Sequence, residues 1–297
     1  MAVSSGYYTG GNITVVGDSN LVAGNIKSGV SIFGVNGTLQ EGSAEGEKVE
    51  YSENEDAIIG GTIASYTNNR ITVIGEYVLA YRDALTTVNF PICTTIGNYA
   101  FNGCTRLTTV SFPVCTNIGP YVFYNCIGLT TASFPMCIDI GMQAFNGCTS
   151  LTTANFPACT IINKYAFGGC SYLTTVNFPV CTTISNNAFI GCSRLTTANF
   201  PVCTTIGSSA FGTCRTLSSI QLGASSVCKL SNSNAFSSTP FAGYSAYFSG
   251  TPHIYVPASL ITAYQSATNW TYFSSYFSTI ESLESSSQGG AQGGSGS

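Results

Sequence analysis

Charge is what this chain most lacks. Only 7% of its 297 residues are Asp, Glu, Lys or Arg, with a single histidine and a single tryptophan. Across residues 85–216 the cations are Arg106, Lys164, Arg194 and Arg215, against the one acid Asp139. Four scattered cations make no stripe able to follow a phosphate backbone, so no nucleic-acid partner is expected. A Ser-His-Asp or Cys-His site would have to be built around His253 alone, so no catalytic residues are expected. Gly10-Gly11 and the Gly-Ser tail lack the spacing and strand–helix setting of a phosphate loop, so no cofactor is expected. The chain has no run of about 18 apolar residues, which argues against membrane insertion as a helix. The start MAVSSGYYTGG lacks the basic-then-apolar layout of a secretion signal, so synthesis in a thiol-reducing cytosol is the expectation.

Cysteine, by contrast, is abundant and regular. Twelve of thirteen cysteines, from Cys93 to Cys214, recur at every eleventh residue. That spacing supplies none of the close pairs a zinc site uses, so no metal is expected. Stacked neighbours about 4.8 Å apart could reach one another, but in-register side chains point the same way, which suits the roughly 90° twist of a disulfide badly. The thiols therefore read as small buried hydrophobes, with Cys228 outside both columns.

Aligned on the cysteines, the chain holds six copies of 22 residues, opening at Leu85, Leu107, Leu129, Leu151, Leu173 and Leu195. Leu85, Val88, Phe90 and Cys93 fit the leucine-rich-repeat pattern, and a fixed period of this length marks a solenoid. Alternation turns Val88 and Phe90 inward and Thr87 and Asn89 outward, and proline at 91, 113, 135, 157, 179 and 201 ends each strand at one level. Ile96, Gly97, Ala100, Phe101 and Cys104 suit a short strand followed by a tight helical turn. Position 97 is Gly in four copies but Asn163 and Ser185 in two, which suggests a left-handed backbone there and bent coils where Ser stands. The expected core columns are Phe90, Phe112, Phe134, Phe156, Phe178 and Phe200 with Cys93, Cys115, Cys137, Cys159, Cys181 and Cys203, beside the column begun by Phe101 and Cys104.

The fold expected is a repeat solenoid of leucine-rich-repeat type, its parallel β-strands joined by short turns and helical segments, with a small N-terminal β module and a C-terminal α+β cap. Residues 1–40 form the module, with strands at Ile13–Val16 and Val30–Val35 too few for a lone core. Residues 41–56 read as an acidic linker, 57–84 as a degenerate capping repeat, 85–216 as the six repeats, 217–284 as the cap and 285–297 as a flexible tail. In the cap, Trp270, Tyr272, Phe273, Tyr276 and Phe277 are expected to cover the last coil, with a carbohydrate platform as the livelier alternative.

The phrase L-x-x-[VA]-x-F-P-x-C-x-x-I-G-x-x-A-F-x-x-C, spread over residues 63 to about 236, closely resembles the BspA-type leucine-rich repeat family, and IYVPASLITAYQSATNW resembles the closing segment of such proteins. The resemblance implies a right-handed solenoid used in adhesion or ligand binding, usually on bacterial surfaces, with no catalytic residues. A second, shorter resemblance runs from Asn20 to Thr38, a segment similar to a module of tail-fibre and tail-tip proteins of bacterial viruses. It implies a virion tail protein that binds a host-surface glycan or protein, joins other tail proteins through residues 1–40 and assembles in the cytosol. The alternatives are a bacterial cell-surface adhesin and a homo-oligomeric scaffold without a ligand.

Two surfaces compete for the binding role. One is the ladder Thr87, Thr109, Thr131, Thr153, Thr175 and Thr197 beside Asn89, Ser111, Ser133, Asn155, Asn177 and Asn199, which could meet glycans or ordered water or simply solvate the sheet. The other is the copy-specific set Tyr121, Tyr124, Met142, Gln143, Lys164, Tyr165, Tyr172, Asn186, Arg194 and Arg215, the expected ligand contacts.

Overall fold

Each copy places valine or alanine between threonine and asparagine or serine, and this triplet becomes a strand in each turn of the chain. In the computed structural model, which describes residues 31–32, 35–36, 50–51, 64–244, 246 and 249–283, each 22-residue coil lays down two strands. Thr87–Asn89 and its successors form a ten-stranded parallel sheet, from Ser65–Thr67 through Ser219–Gln221 to His253–Val256 and Phe277–Thr279. Thr95–Ile96 and its successors form a nine-stranded parallel sheet ending at Lys229–Leu230. Pairing steps by one copy, Thr87 to Thr109 and Ile96 to Ile118, so equivalent residues stack into columns. The fold is a solenoid of leucine-rich-repeat type.

Phenylalanine fills the space between the sheets. Phe90, Phe112, Phe134, Phe156, Phe178 and Phe200 stack at 5.3–6.0 Å between centroids. Phe101, Phe123, Phe145, Phe167, Phe189 and Phe211 stack beside them at 5.2–5.4 Å, and the two columns meet edge to face, as Phe145 meets Phe156 at 5.6 Å. All twelve rings are buried. Each contributes on the order of 2–3 kcal/mol by leaving water, with a further increment from the ring contacts.

Threonine closes the coils at two edges. Thr86, Thr108, Thr130, Thr152 and Thr196 each donate Oγ1–H to the carbonyl 22 residues earlier, at 2.7–3.2 Å. Thr94, Thr116, Thr160, Thr182 and Thr204 do the same on the other side at 3.1–3.3 Å, and Ile138 interrupts that row.

The segment after each short strand is not helical. Tyr99, Tyr121, Gln143, Tyr165, Asn187 and Ser209 all hold a left-handed backbone at φ 51–59°, which ends any right-handed turn. Four residues on, a second left-handed position is Gly103, Gly147, Gly169 or Gly191 in four coils and Asn125 or Thr213 in two. Between them, alternate N–H groups reach forward to the next coil, Tyr99 to Pro120, Phe101 to Val122 and Gly103 to Tyr124, while those of Ala100, Asn102 and Cys104 bond backward within their own coil. Gly97 is therefore not the left-handed residue expected. A Cβ there would meet the main chain of the coil behind, Gly75 C at 2.8 Å and Ile74 O at 2.9 Å, so close approach selects glycine. Where Asn163 stands instead, its Nδ2 donates to Ile140 O and to Asp139 Oδ1. Ser185 keeps the ordinary link to Ile162 O at 2.9 Å, so the bend expected there does not break the coil contact.

The period slips by three residues after Leu222, yet the columns continue. Phe236 stacks on Phe211 at 5.5 Å, and Thr239, fully buried, takes the place of the next cysteine with its hydroxyl on Phe236 O. Trp270 and Phe273 close over Phe236, at 6.0 and 5.2 Å, whereas Tyr272 is 72% exposed. A six-residue helix, Ile261–Ser266, carries the buried Tyr264. The open edge of the nine-stranded sheet is met by cap side chains: Tyr264 Oη accepts Cys228 N–H, Trp270 Nε1 donates to Cys228 O, and Asn269 Nδ2 donates to Leu230 O.

Residues 1–48 and 49–297 are separate compact units. In the first, Ser31–Ile32 pairs antiparallel with Val35–Asn36, in place of one strand across Val30–Val35; Ile13–Val16 lies outside the described residues. In the second, Glu50–Tyr51, within the expected linker, pairs with Val73–Ile74.

Candidate functional site

All thirteen cysteines are buried thiols, none of them in a disulfide. The two columns point differently. Cys93, Cys115, Cys137, Cys159, Cys181 and Cys203 donate to the carbonyl two residues ahead, at 3.2–3.4 Å. Cys104, Cys126, Cys148, Cys170, Cys192 and Cys214 donate to a carbonyl one coil behind, at 3.0–3.2 Å. Burial pushes Cys93 up to about 11 and Cys137 and Cys181 to about 12, so thiolate chemistry is suppressed at these positions. Among the described residues no cluster of three or more His, Cys, Asp or Glu side chains is placed to hold a metal. His253 Nδ1 meets Ser278 Oγ at 2.8 Å on the polar face of the ten-stranded sheet, beside Tyr255.

The chain's distinct side chains gather on the turn segment, where the left-handed residues alternate with the buried core. Tyr77, Tyr99 and Tyr121 form a parallel stack at 4.7 and 4.5 Å, and Tyr124 meets Tyr121 edge-on at 5.7 Å. Desolvation and the neighbouring Tyr121 and Tyr77 hydroxyls hold the Tyr99 phenol above its ordinary range. Gln143 and Tyr165 continue this column, each left-handed. Lys164 reaches over the Tyr165 ring at 5.5 Å. Arg194 lies over Tyr172 at 4.0 Å, with both residues exposed, and Arg215 lies over Tyr244 at 5.7 Å. Asn186 is exposed but its Oδ1 accepts Ser208 N–H at 2.9 Å, which makes it in part a coil-to-coil tie. Met142 is exposed.

The structure thus pairs Tyr121 with Tyr124, Lys164 with Tyr165 and Tyr172 with Arg194, on one frame and not in one pocket. Tyr77 and Tyr99 belong with them and were missed in the sequence, although they stand 44 and 22 residues before Tyr121. A further column, Ile92, Val114, Met136, Val180 and Val202, is 40–52% exposed behind the prolines and follows the same period.

Residues 72–196 and 138–247 match the BspA type leucine rich repeat region, in six copies. The chain belongs to this family. BspA-type repeats therefore account for the strands of both sheets from Val73 to Leu230 and for the turn face between their coils. No curated protein matches the sequence. Among solved structures, a leucine rich cell surface protein from Faecalibacterium prausnitzii is 22% identical, with 57% of each chain covered and a TM-score of 0.46. A leucine-rich repeat protein from Eubacterium ventriosum is 26% identical over 41% of this chain and 34% of its own, TM-score 0.38. The T. pallidum leucine rich repeat protein is 20% identical over 55% of this chain and 73% of its own, TM-score 0.39. The chain thus spans just over half of the first of these and a third of the second. Among the described residues no helix is long and apolar enough to cross a membrane.

Proposed function

We propose that this chain is a non-enzymatic adhesion protein of the bacterial cell surface, with the turn face of its solenoid as the recognition surface for a host glycan or protein. Family membership supports the class. The observation that carries the choice of face is the exposed Arg194–Tyr172 pair, a copy-specific cation laid over an aromatic ring on a frame otherwise repeated from coil to coil. Aromatic and arginine side chains anchored on rigid elements are the residues that supply most binding energy in recognition surfaces. Burial raises the pKa of Cys93, Cys137 and Cys181, which argues against a catalytic nucleophile at these positions and supports binding over catalysis.

The viral tail reading rests on residues 20–38, of which only Ser31–Ile32 and Val35–Asn36 are described, and the family match begins at residue 72. It is the weaker reading.

The test is binding to a glycan array and to immobilised host-cell surface protein, by wild type and by Tyr165→Ala/Arg194→Ala. The expected result is at least a tenfold loss by the double variant with an unchanged melting temperature. Undiminished binding would remove these side chains from the recognition surface.

A further inference from the structure

Cys228 breaks the rule kept by the other sulfurs of its column. It is not outside the columns, as its place in the sequence suggests. It follows Cys203 by 25 residues and precedes Phe236 by the same eight residues that separate Cys93 from Phe101, so it is the column's seventh member. By the column's rule its thiol would address Leu230 O, two residues ahead, but Leu230 O already accepts Asn269 Nδ2 at 2.8 Å. The Cys228 thiol turns instead toward Cys203 Sγ at 3.8 Å, with Lys229 O at 3.9 Å.

Three features make this sulfur pair unlike its neighbours. The main chain of Cys228 is pinned to the cap on both sides, by Tyr264 Oη at 2.9 Å and Trp270 Nε1 at 2.6 Å. The period has slipped, so the Cys228 thiol points at the Cys203 sulfur, whose own hydrogen stays on Thr205 O, whereas the other thiols of the column point at carbonyls. A cavity of about 420 Å³, lined by residues 227–231 and 267–270, borders Cys228 and has room for a small thiol reagent.

We propose that Cys203 and Cys228 are a latent disulfide that locks the C-terminal cap to the last repeat in an oxidising environment. The oxidant is a small-molecule disulfide. The Cys228 thiolate attacks one of its sulfurs, forming a mixed disulfide and expelling one small thiolate. Deprotonated Cys203 then attacks the Cys228 sulfur, expels the second small thiolate and closes the protein bond. Two protein thiols are oxidised, one small disulfide is reduced to two small thiols, and the two protons pass to them. The sulfurs move from 3.8 Å to about 2.05 Å. The cap is the natural place for such a lock, because a terminal repeat has a neighbour on one side only and opens first. The Cys203 contact and burial hold the Cys228 thiol above its ordinary range, so exchange is slow at neutral pH and accelerates as pH rises.

The test incubates the folded full chain with oxidised glutathione at pH 7 and at about pH 9, followed by alkylation, tryptic digestion and mass spectrometry. The expected product is peptide 195–215 joined to peptide 216–229 with two hydrogens lost, and fragmentation that places the bond on Cys203 and not on Cys214. Its formation is faster at the higher pH, absent in Cys228→Ser and in Cys203→Ser, and accompanied by a melting temperature several degrees higher that returns on reduction. Should a variant fail to fold, mapping the wild-type bond decides by itself. Failure to form this bond, its appearance no sooner than one between in-register neighbours such as Cys181 and Cys203, or a lower melting temperature on oxidation would each overturn the proposal. None of these readouts depends on a ligand, so the result stands apart from that of the adhesion reading.

Discussion

Cys126 donates its thiol hydrogen to the main-chain oxygen of Phe101, 3.1 Å away and one coil behind. Cysteine in this column is thus a buried donor to a carbonyl that also accepts Cys104 N–H, as well as a small apolar filler. Cys126→Ala removes the donor and leaves a small void, and the expected cost is about 1–2 kcal/mol by chemical denaturation. Phe134→Ala, in the middle of the ring stack, should cost about 3–5 kcal/mol. A neutral Cys126→Ala would mean that the thiol bond carries no stability.

Alkaline pH should unfold the solenoid cooperatively. The folded chain holds Cys93 at about 11 and Cys137 and Cys181 at about 12, whereas an unfolded thiol ionises near about 8.5. An acid raised by folding leaves stability untouched below its unfolded pKa, and stability falls as pH climbs from there toward the folded value, because the unfolded chain loses protons first. The urea midpoint should hold steady up to about pH 8 and drop steeply between about pH 9 and pH 11. A flat profile across that window contradicts buried thiols.

Asp139 titrates in a different window. Burial raises its pKa and the Asn163 side chain opposes the shift, so the ionised carboxylate costs stability at neutral pH, and the cost disappears as pH falls below the unfolded value of about 3.9. Asp139→Asn should raise the melting temperature at pH 7 and leave it unchanged near about pH 3. Asn117 already holds the equivalent place one coil earlier. A lower melting temperature at pH 7 would show that the carboxylate is stabilising.

Two glycines should differ in their cost on substitution. A Cβ on Gly141 would stand 2.5 Å from Gly119 C, a backbone contact that cannot yield, and Gly141→Ala should cost about 2–3 kcal/mol. Gly169 is left-handed at φ 71° with its nearest contact at 3.8 Å, and Asn125 occupies the same position two coils earlier. Gly169→Asn should cost less than about 1 kcal/mol. Equal costs would refute the separate reasons given for the two glycines.

The 22-residue period, the phenylalanine and cysteine columns and the parallel strands were legible because burial and register leave a mark at every repeat. The reason for Gly97 was not. A glycine chosen for a left-handed backbone and one chosen for close approach look alike in one dimension, and the left-handed residue proved to be Tyr99, which propensity disfavours. Cys228 was misplaced because a three-residue insertion hides a member of a strict series, although its distance from Phe236 preserved the sign. The tyrosine stack was only partly legible: Tyr99 and Tyr121 are the same residue one period apart, and Tyr77 stands in the degenerate first copy. The cap's polar contacts to Cys228 and Leu230 depend on a fold-back that periodicity does not encode.

The central claim is that the thiols line the interior of stacked coils, and native-state alkylation tests it most directly. Intact-mass measurement after brief iodoacetamide treatment at neutral pH should find no adduct on the folded chain, and thirteen once denaturant is added, one for each cysteine. Rapid labelling of column cysteines such as Cys137 or Cys148 in the folded protein would place those sulfurs at the surface and contradict the account.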